Sequence, residues 1–318
     1  MLLTRPIRHT AAAVALSTAT VVSLAACGGN AADGAAVVPT QASVAGAQVT
    51  RDQALHDALP DRIRQSGTVR VATDVPYAPF EMFVTEGSSD LTGLDYDLGQ
   101  ALGAKLGVRF AFTPQKFDGL VPAVQAGKFD AAMSALTDSK ERQQVLDFVD
   151  YSVSGSGILV AKGNPSAVTK LDDLCGRQVG VEAASHQLQL LQAHQSTCTA
   201  AGRPPVGIQT FPKDSDAQLA LRSGKVVADL LTKPAAGWTA KNADGGAAFE
   251  VVDDPAASSG YDATPNGIGV SKQLPQLTEA IRKALQQLID DGTLTRICAA
   301  YGVPSIAVKQ ATENAGVS

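Results

Sequence analysis

Residues 68–112 decide the fold, and they read TVRVATDVPYAPFEMFVTEGSSDLTGLDYDLGQALGAKLGVRFAF. The β-branched residues within 69–73 predict a strand, which a proline-rich turn ends. Leucines then recur at four-residue steps from Leu94 to Leu106, which predicts one face of a helix. Apolar residues alternate from Val108 to Phe112, which predicts the next strand. This strand–helix–strand order is typical of an open parallel sheet with helices on both faces.

The same alternation of strands and helices continues along most of the chain. An apolar face from Leu277 to Ile289 predicts a long late helix, and Asp291-Gly292 ends it. The sequence therefore predicts an α/β protein. Its further strands are expected near residues 131–135, 157–161, 179–181, 208–211, 228–231 and 267–270.

Length and charge limit the classes of protein to which this chain can belong. Its 318 residues are enough for two compact lobes, each with its own core. The formal net charge of −5 gives no support to a nucleic-acid partner, which would need a basic patch. Outside the N-terminus no apolar run approaches about 20 residues, so we expect no later segment to span a membrane.

The N-terminus predicts an export signal followed by a lipid anchor. Arg5 and Arg8 precede an Ala/Val/Leu-rich stretch at residues 11–26, which is short for a transmembrane helix and is interrupted by Ser and Thr. Leu24-Ala25-Ala26-Cys27 resembles a bacterial lipobox, in which the cysteine is acylated. The chain is thus expected on the outer face of the cytoplasmic membrane, with a signal peptide at 1–26, lipidation (including palmitate) at Cys27 and a flexible linker at 27–50.

Short motifs follow one another in a fixed order from Thr68 to Val303. They are Val71-Ala72-Thr73-Asp74, Tyr77-Ala78-Pro79-Phe80-Glu81, Thr92-Gly93-Leu94-Asp95-Tyr96-Asp97-Leu98, Phe117-Asp118-Gly119-Leu120, Gly127-Lys128-Phe129-Asp130, Ser134-Ala135-Leu136-Thr137 with Arg142, Asp291-Gly292-Thr293 and Tyr301-Gly302-Val303. In this order and spacing the chain resembles the polar-amino-acid family of extracellular solute-binding proteins, over roughly three-quarters of its length.

The resemblance implies an α/β fold of the two-lobed, type II periplasmic-binding-protein class. Each lobe would be a mixed or parallel sheet flanked by helices, and two hinge strands would join the lobes. Lobe 1 would comprise residues 68–154 and 263–304, and lobe 2 residues 155–262. Closure about the hinges would bury a ligand between the lobes.

The resemblance also implies a function, that of the substrate-binding lipoprotein of an ABC importer. Its partners would be a small solute, the permease subunits and the membrane that holds the lipid anchor, with no cofactor, metal or catalytic residue. An exported dehydratase-like enzyme, or a ligand-sensing or adhesin module, is the alternative on the same fold. The sequence contains no Gly-x-Ser-x-Gly, Cys-x-x-Cys or His-Glu-x-x-His motif in support of an enzyme.

Two residues are predicted to hold a ligand carboxylate. Arg142 lies five residues after Thr137, where this family places its carboxylate-binding arginine, and a guanidinium can donate two parallel hydrogen bonds to a carboxylate. Ser185 is expected to cap a helix whose free N–H groups face the anion. A surface arginine and a purely structural helix cap are the alternatives.

Of the remaining predicted ligand residues, all but Thr232 lie in lobe 1. Tyr77 and Phe117 match an aromatic pair that sandwiches the ligand's side chain in similar proteins. Asp74 can accept hydrogen bonds from an amine or amide. Ser134 and Thr137 offer a backbone carbonyl and a hydroxyl group that suit an amino group.

Thr232 marks a departure from the family pattern. It stands where family members usually carry the aspartate that binds the α-ammonium group, and a threonine cannot neutralise that charge. We therefore expect a carboxylate-bearing solute other than a simple α-amino acid. Any positive charge on it would have to meet Asp74, Glu182 or Asp229, or the two aromatic rings. An ordinary amino acid in a shifted pose, with its ammonium group on Asp74, stays open.

The other three cysteines are assigned to lobe 2 and to the last helix. Cys175 and Cys198 flank the segment that holds Ser185, and an exported location permits a disulfide between them. Two buried thiols are the alternative. Cys298 falls on the apolar face of the last short helix and is expected to be a buried free thiol.

Overall fold

The computed structural model describes residues 41–85 and 87–317. The predicted signal peptide at 1–26, the lipidated Cys27 and the linker as far as residue 40 lie outside the described residues. Among the helices of the described part, none combines the length and the apolar character needed to cross a bilayer.

Residues 41–50, which we had assigned to the flexible linker, form a β-hairpin. Strands β1 (Gln41–Val44) and β2 (Ala47–Thr50) pair antiparallel around a two-residue turn, in which both Ala45 and Gly46 have positive φ. Val44 and Val49 are buried in the large apolar core. The linker prediction is wrong here, because each strand carries too few apolar residues to show a pattern in the sequence.

The first half of the chain builds most of one lobe. Two short helices separated by Pro60 lead into the first strand of the main sheet. The elements are α1 (Gln53–Asp57), α2 (Asp61–Ser66), β3 (Thr68–Thr73), β4 (Met82–Phe83), β5 (Leu91–Thr92), α3 (Leu94–Leu106), β6 (Arg109–Pro114), α4 (Phe117–Gln125), β7 (Ala131–Ala132), α5 (Lys140–Gln143) and β8 (Leu146–Ala161).

The second half builds the other lobe and then returns to the first. Its helices and strands are β9 (Gln178–Glu182), α6 (His186–Ala200), β10 (Gly207–Phe211), α7 (Asp214–Arg222), β11 (Ala228–Thr232), α8 (Lys233–Asn242), β12 (Phe249–Val251), β13 (Tyr261–Ser271), α9 (Pro275–Asp290), α10 (Thr293–Ala300) and β14 (Ala307–Glu313). Short 3-10 helices cover Leu171–Leu174, Ala243–Gly246, Pro255–Ala257 and Pro304–Ile306.

The long strands β8 and β13 pair antiparallel and connect the two lobes. In the described part of the chain the main sheet has the order β10-β9-β11-β8-β13-β7-β3-β6, and β12 and β14 also pair with β8. We call the part around β3, β6 and β7 lobe 1, and the part around β9, β10 and β11 lobe 2. Within each trio the pairs are parallel. The predicted two-lobed α/β fold is therefore confirmed.

Each lobe has its own apolar core. Leu98 and Leu285 are fully buried on the lobe 1 side, whereas Val181 and Leu191 are fully buried in lobe 2. The core of lobe 1 also takes in Ile306 from the chain beyond residue 304, before β14 adds to β8. This last strand was missed because its sequence, AVKQATE, has only a weak apolar alternation.

The two connecting chains touch at a pair of glycines. The Gly155 N–H donates to the Ser259 carbonyl at 2.9 Å, and Gly260 has a φ of 93°. A Cβ atom on Gly155 would lie 2.4 Å from the Gly260 carbonyl carbon, which is far inside van der Waals contact. Only glycine therefore permits this close approach of the two chains between the lobes.

Candidate functional site

The predicted ligand residues of both lobes lie just beyond the carboxyl ends of strands that run parallel. Asp74 follows β3, Phe117 lies in the first turn of α4 after β6, and Ser134 follows β7. In lobe 2, Ser185 follows β9 and Thr232 ends β11. In open α/β sheets this edge is where ligands bind, because the strand ends and helix starts converge there.

Hydrogen bonds join four pairs of residues across the two lobes at this edge. Arg142 Nη2 donates to the Ala184 carbonyl at 3.0 Å, and Gln189 donates to the Glu141 carboxylate at 2.9 Å. The other two crossings join Lys213 to Val75 and Tyr77 to Thr232. The two lobes therefore face each other in a closed arrangement around the predicted site.

The guanidinium of Arg142 is held in place by lobe 1. Its Nη1 donates to the Thr137 carbonyl at 2.9 Å, and its central carbon lies 5.5 Å from the centre of the Phe117 ring. Burial lowers the pKa of Arg142 to about 10, with the carboxylates of Glu141 and Asp138 opposing that shift. The group is therefore still cationic at neutral pH, and only two of its five N–H donors are used in these contacts.

Ser185 is the N-cap of α6. Its hydroxyl oxygen accepts from the Leu188 N–H at 3.1 Å and donates to the Glu182 carbonyl at 2.7 Å. The preceding Ala184 has a φ of 59°, in the left-handed region that non-glycine residues rarely adopt. The strained turn aims the Ala184 carbonyl at Arg142 and leaves the first N–H groups of α6 for an anion.

Thr232 and Tyr77 use their polar groups on each other. The Tyr77 hydroxyl donates to Thr232 Oγ1 at 3.0 Å and accepts from the Thr232 backbone N–H at 2.9 Å. The ring of Tyr77 packs against the cores of both lobes and stacks with Phe80, with 6.1 Å between centroids. The polar groups of Tyr77 and Thr232 therefore satisfy each other across the two lobes.

Ser134 is tied into a buried network of lobe 1. Its hydroxyl donates to Glu81 at 2.5 Å and accepts from the Asp74 backbone N–H at 2.9 Å. The next N–H, from Ala135, donates to Asp95, which also accepts from the Tyr151 hydroxyl. Burial raises the pKa of Glu81 well above its usual range and that of Asp95 to about 6. These hydrogen bonds fix the position of the Ser134–Thr137 loop.

Carboxylates from both lobes meet beside this loop. The side chains of Asp74 and Glu182 lie close enough across the cleft for each to shift the pKa of the other, and Glu182 accepts from the Asp214 N–H at 3.2 Å. Burial, together with the neighbouring acids, raises the pKa of Glu182 to about 10 and that of Asp214 to about 7. Lys213 is the neighbouring cation, and its ammonium group donates to the Val75 carbonyl at 2.9 Å.

Asp229 lies deeper in lobe 2, next to this acidic group. It is fully buried, and neither carboxylate oxygen has a hydrogen-bond partner. Burial and the negative charge of Asp214 raise the pKa of Asp229 well above its usual range. The buried acids therefore form a region that a positive charge would stabilise.

The structure places the predicted site residues in small bonded groups at the facing edges of the two lobes. Sequence reasoning missed Lys213 and Asp214. His186, which follows Ser185, is buried and bonded to Asp262. The missed pair could have been found from its position. Lys213 and Asp214 directly follow β10, whose carboxyl end lies beside that of β9.

A second concavity lies on the hinge side of the lobes. It is a groove of about 820 Å³ between one face of α8 in lobe 2 and the end of α10 in lobe 1. Trp238 and Tyr301 face each other across it with 6.4 Å between ring centroids. None of the predicted ligand residues lines this groove.

The predicted disulfide between Cys175 and Cys198 is present, with 5.5 Å between the Cα atoms. Cys298 is a buried free thiol, as predicted. The disulfide connects the 3-10 helix Leu171–Leu174 to α6, so it braces the helix whose first turn borders the cleft.

Comparisons with known proteins agree with the two-lobed fold described above. The sequence profile of the bacterial extracellular solute-binding proteins, family 3, matches residues 69–304. The arginine-binding protein ArgT of Corynebacterium glutamicum is 28% identical over 80% of this chain and 81% of that protein. The lysine/arginine/ornithine-binding periplasmic protein of Escherichia coli is 31% identical over 74% of this chain and 87% of that protein.

Two solved structures support the same relationship. An ancestral amino-acid-binding protein, described as a precursor of cyclohexadienyl dehydratase, has a TM-score of 0.66 and 32% identity over 76% of this chain and 98% of its own. An ancestral arginine-binding protein bound to arginine has a TM-score of 0.64 and 34% identity, and the match covers 74% of this chain and 98% of that one.

Proposed function

Because the chain belongs to the bacterial extracellular solute-binding proteins, family 3, we propose that it is the exported, lipid-anchored binding component of an ABC importer for a cationic amino acid or amino-acid-like solute. The observation that carries this proposal is the set of ionisable groups in the cleft. Arg142 provides a positive charge, and Asp74, Glu182 and Asp214 provide buried acidic side chains.

The carboxylate of the solute is assigned to Arg142 and to the first turn of α6. The guanidinium remains charged, and the contacts with Thr137 and Phe117 pre-orient it, so little side-chain entropy is lost on binding. The N-cap Ser185 leaves the N–H groups of the first turn of α6 directed at the anion.

The positive charge of the solute is assigned to Asp74, Glu182 and Asp214. Thr232 cannot supply a negative charge, and its oxygen already accepts from Tyr77. The buried acids exceed what one ammonium group needs, which favours a solute with a second cationic group, such as arginine, lysine or ornithine. Both relatives described above are named for the binding of such amino acids.

Calorimetric titration of the purified protein tests the proposal. We expect micromolar or tighter binding of at least one cationic amino acid, with no measurable binding of glutamate, because its side-chain carboxylate would face three acids. Ligand recovered after incubation should be chemically unchanged. Binding of glutamate in preference to every cationic candidate, or recovery of a converted product, would refute the proposal.

Membrane attachment through Cys27 is tested separately. The Cys27→Ala variant should be released into the soluble exported fraction, because two acyl chains are what makes such anchoring stable. A variant that stays in the membrane after a carbonate wash would show that the apolar leader is an uncleaved anchor. Ligand affinity of the released protein should equal that of the wild type.

A further inference from the structure

A second cluster of ligand-type side chains lies in lobe 2, around the disulfide and apart from the residues of the cleft. Cys175 Sγ, Cys198 Sγ and a ring nitrogen of His194 lie within 4.8 Å of one another. His194 Nε2 is 4.0 Å from Cys175 Sγ and 3.3 Å from Asp172 Oδ1. The imidazole thus points at a sulfur and a carboxylate at the same time.

The four residues form two local pairs on two adjoining elements. Asp172 and Cys175 lie three positions apart at the 3-10 turn, and His194 and Cys198 lie four positions apart on one face of α6. Structural zinc sites are built from such pairs, with two or three residues between the members of a pair. In the oxidised protein the disulfide holds the two pairs together, so the four side chains already lie near one another before reduction.

The distances suit a tetrahedral ion. With Zn–S of about 2.3 Å and Zn–N and Zn–O of about 2.0 Å, neighbouring ligand atoms of a tetrahedron are about 3.3–3.8 Å apart. The two contacts of His194 Nε2 are close to that range. The two bonded sulfurs have to separate, which breaking their bond allows. The Asp172 carboxylate contacts His194 but lies outside the group of ligand atoms within 4.8 Å of one another, so this partly exposed side chain has to move toward the sulfurs.

We propose that reduction of the Cys175–Cys198 disulfide creates a Zn²⁺ site formed by Cys175, Cys198, His194 and Asp172. A dithiol or phosphine reductant supplies two electrons, and with two protons the disulfide becomes two thiols while the reductant is oxidised. Zn²⁺ then binds as each thiol releases its proton, with a neutral imidazole and an ionised carboxylate completing the set.

The surroundings of the cluster favour zinc and give it an entry path. Cys198 is fully buried and the His194 side chain is 9% exposed, whereas the Asp172 side chain is 40% exposed. An ion can therefore enter beside Asp172, and the buried Cys198 and the nearly buried His194 side chain shield it from solvent. Two thiolates with an imidazole select zinc over calcium or magnesium, which prefer oxygen ligands. In the reduced protein the ion would replace the covalent link between the 3-10 turn and α6.

Cobalt titration of the full-length protein in mild detergent tests the site. After reduction with a phosphine, the wild type should bind one equivalent of Co²⁺, with visible d–d bands and a near-ultraviolet thiolate-to-cobalt band that Zn²⁺ abolishes. The oxidised protein should show neither. Cys298→Ser is the matched control, because that thiol lies in the lobe 1 core, and it should behave as the wild type.

Substitution of the proposed zinc-binding residues decides whether the metal site exists. His194→Ala should weaken Co²⁺ binding at least about tenfold, and Cys198→Ser should lose most of the thiolate band. Zinc should raise the melting temperature of the reduced wild type but not that of reduced His194→Ala. If reduced wild type binds Co²⁺ no better than the oxidised protein, or if His194→Ala binds as tightly as wild type, the proposal is wrong.

Discussion

Tyr77 of lobe 1 and Thr232 of lobe 2 form a reciprocal pair of hydrogen bonds, in which the phenol donates to Thr232 Oγ1 at 3.0 Å and accepts from the Thr232 N–H at 2.9 Å. Each group satisfies the other only when the lobes are closed. Their separation on opening exposes both to water, so the pair adds directly to the stability of the closed form.

Tyr77→Phe should therefore weaken ligand binding without damaging the fold. The ring and its packing are retained, while the two cross-lobe hydrogen bonds are lost, which should raise the Kd by about three- to tenfold. Titration calorimetry measures this change. Tyr301→Phe is the matched control, because its hydroxyl bonds within lobe 1 to Asp97 and Thr92, and its Kd should be unchanged. Equal Kd values for wild type and Tyr77→Phe would contradict the prediction.

Arg142→Lys should reduce affinity for any carboxylate ligand at least about tenfold, because an ammonium group cannot make the two parallel hydrogen bonds of a guanidinium. It should also lose the contact with the Ala184 carbonyl across the cleft. Affinity for a ligand analogue whose carboxylate is replaced by a neutral amide should change much less. A similar loss for both compounds would mean that Arg142 acts on closure and not on the carboxylate.

Ala184→Gly should stabilise the protein. Ala184 has a φ of 59° and an exposed side chain, so glycine relieves backbone strain and removes no packing. The strain of about 1–2 kcal/mol exceeds the extra entropy that glycine gives the unfolded chain, and the net gain should be about 0.5–1 kcal/mol. Thermal or urea unfolding measures it. Ala183→Gly, next to it and without a positive φ, should be destabilised, and the reverse order would contradict the argument.

The sequence predicted the site residues of lobe 1 better than the chemistry of the cleft. The motifs around Asp74, Tyr77 and Arg142 lie at the start or end of regular elements, so their positions follow from the order of strands and helices. The meeting of Asp74 with Glu182 and Asp214 depends on how two lobes far apart in sequence close on each other. No local pattern encodes that distance.

The errors at the termini have a different cause. The hairpin at 41–50 and the strand β14 are short, polar on one side and stabilised mainly by contacts with distant residues. In both, tertiary packing decides the conformation and the local apolar pattern is weak.

The number of buried acids at the cleft was underestimated for the same reason. The sequence predicts a strand at Asp229, but nothing in it indicates that both carboxylate oxygens are buried without a hydrogen-bond partner.

The buried acids predict an unusual dependence of stability on pH. Burial is the main reason that the pKa of Asp214 is raised to about 7 and that of Glu182 to about 10. Between the ordinary pKa of a carboxyl group and these values, both side chains hold protons in the folded state that the unfolded chain has lost. The folded state then binds more protons than the unfolded state, and the free energy of unfolding falls as the pH rises. The ligand-free protein should therefore be most stable near pH 5, should lose stability up to about pH 8, within which Asp214 ionises, and should continue to lose it up to about pH 10, where Glu182 ionises.

Thermal melts of wild type and Asp214→Asn between pH 5 and 8 measure this contribution. The variant should show a smaller fall in melting temperature, because its amide does not ionise. Some fall should remain, since burial also raises the pKa values of Asp95 to about 6 and of Asp150 to about 7. A saturating cationic ligand should lessen the fall in the wild type, because its charge replaces the protons on the acids. Identical slopes for the two proteins would mean that Asp214 is ionised throughout this range, with Lys213 as its compensating charge.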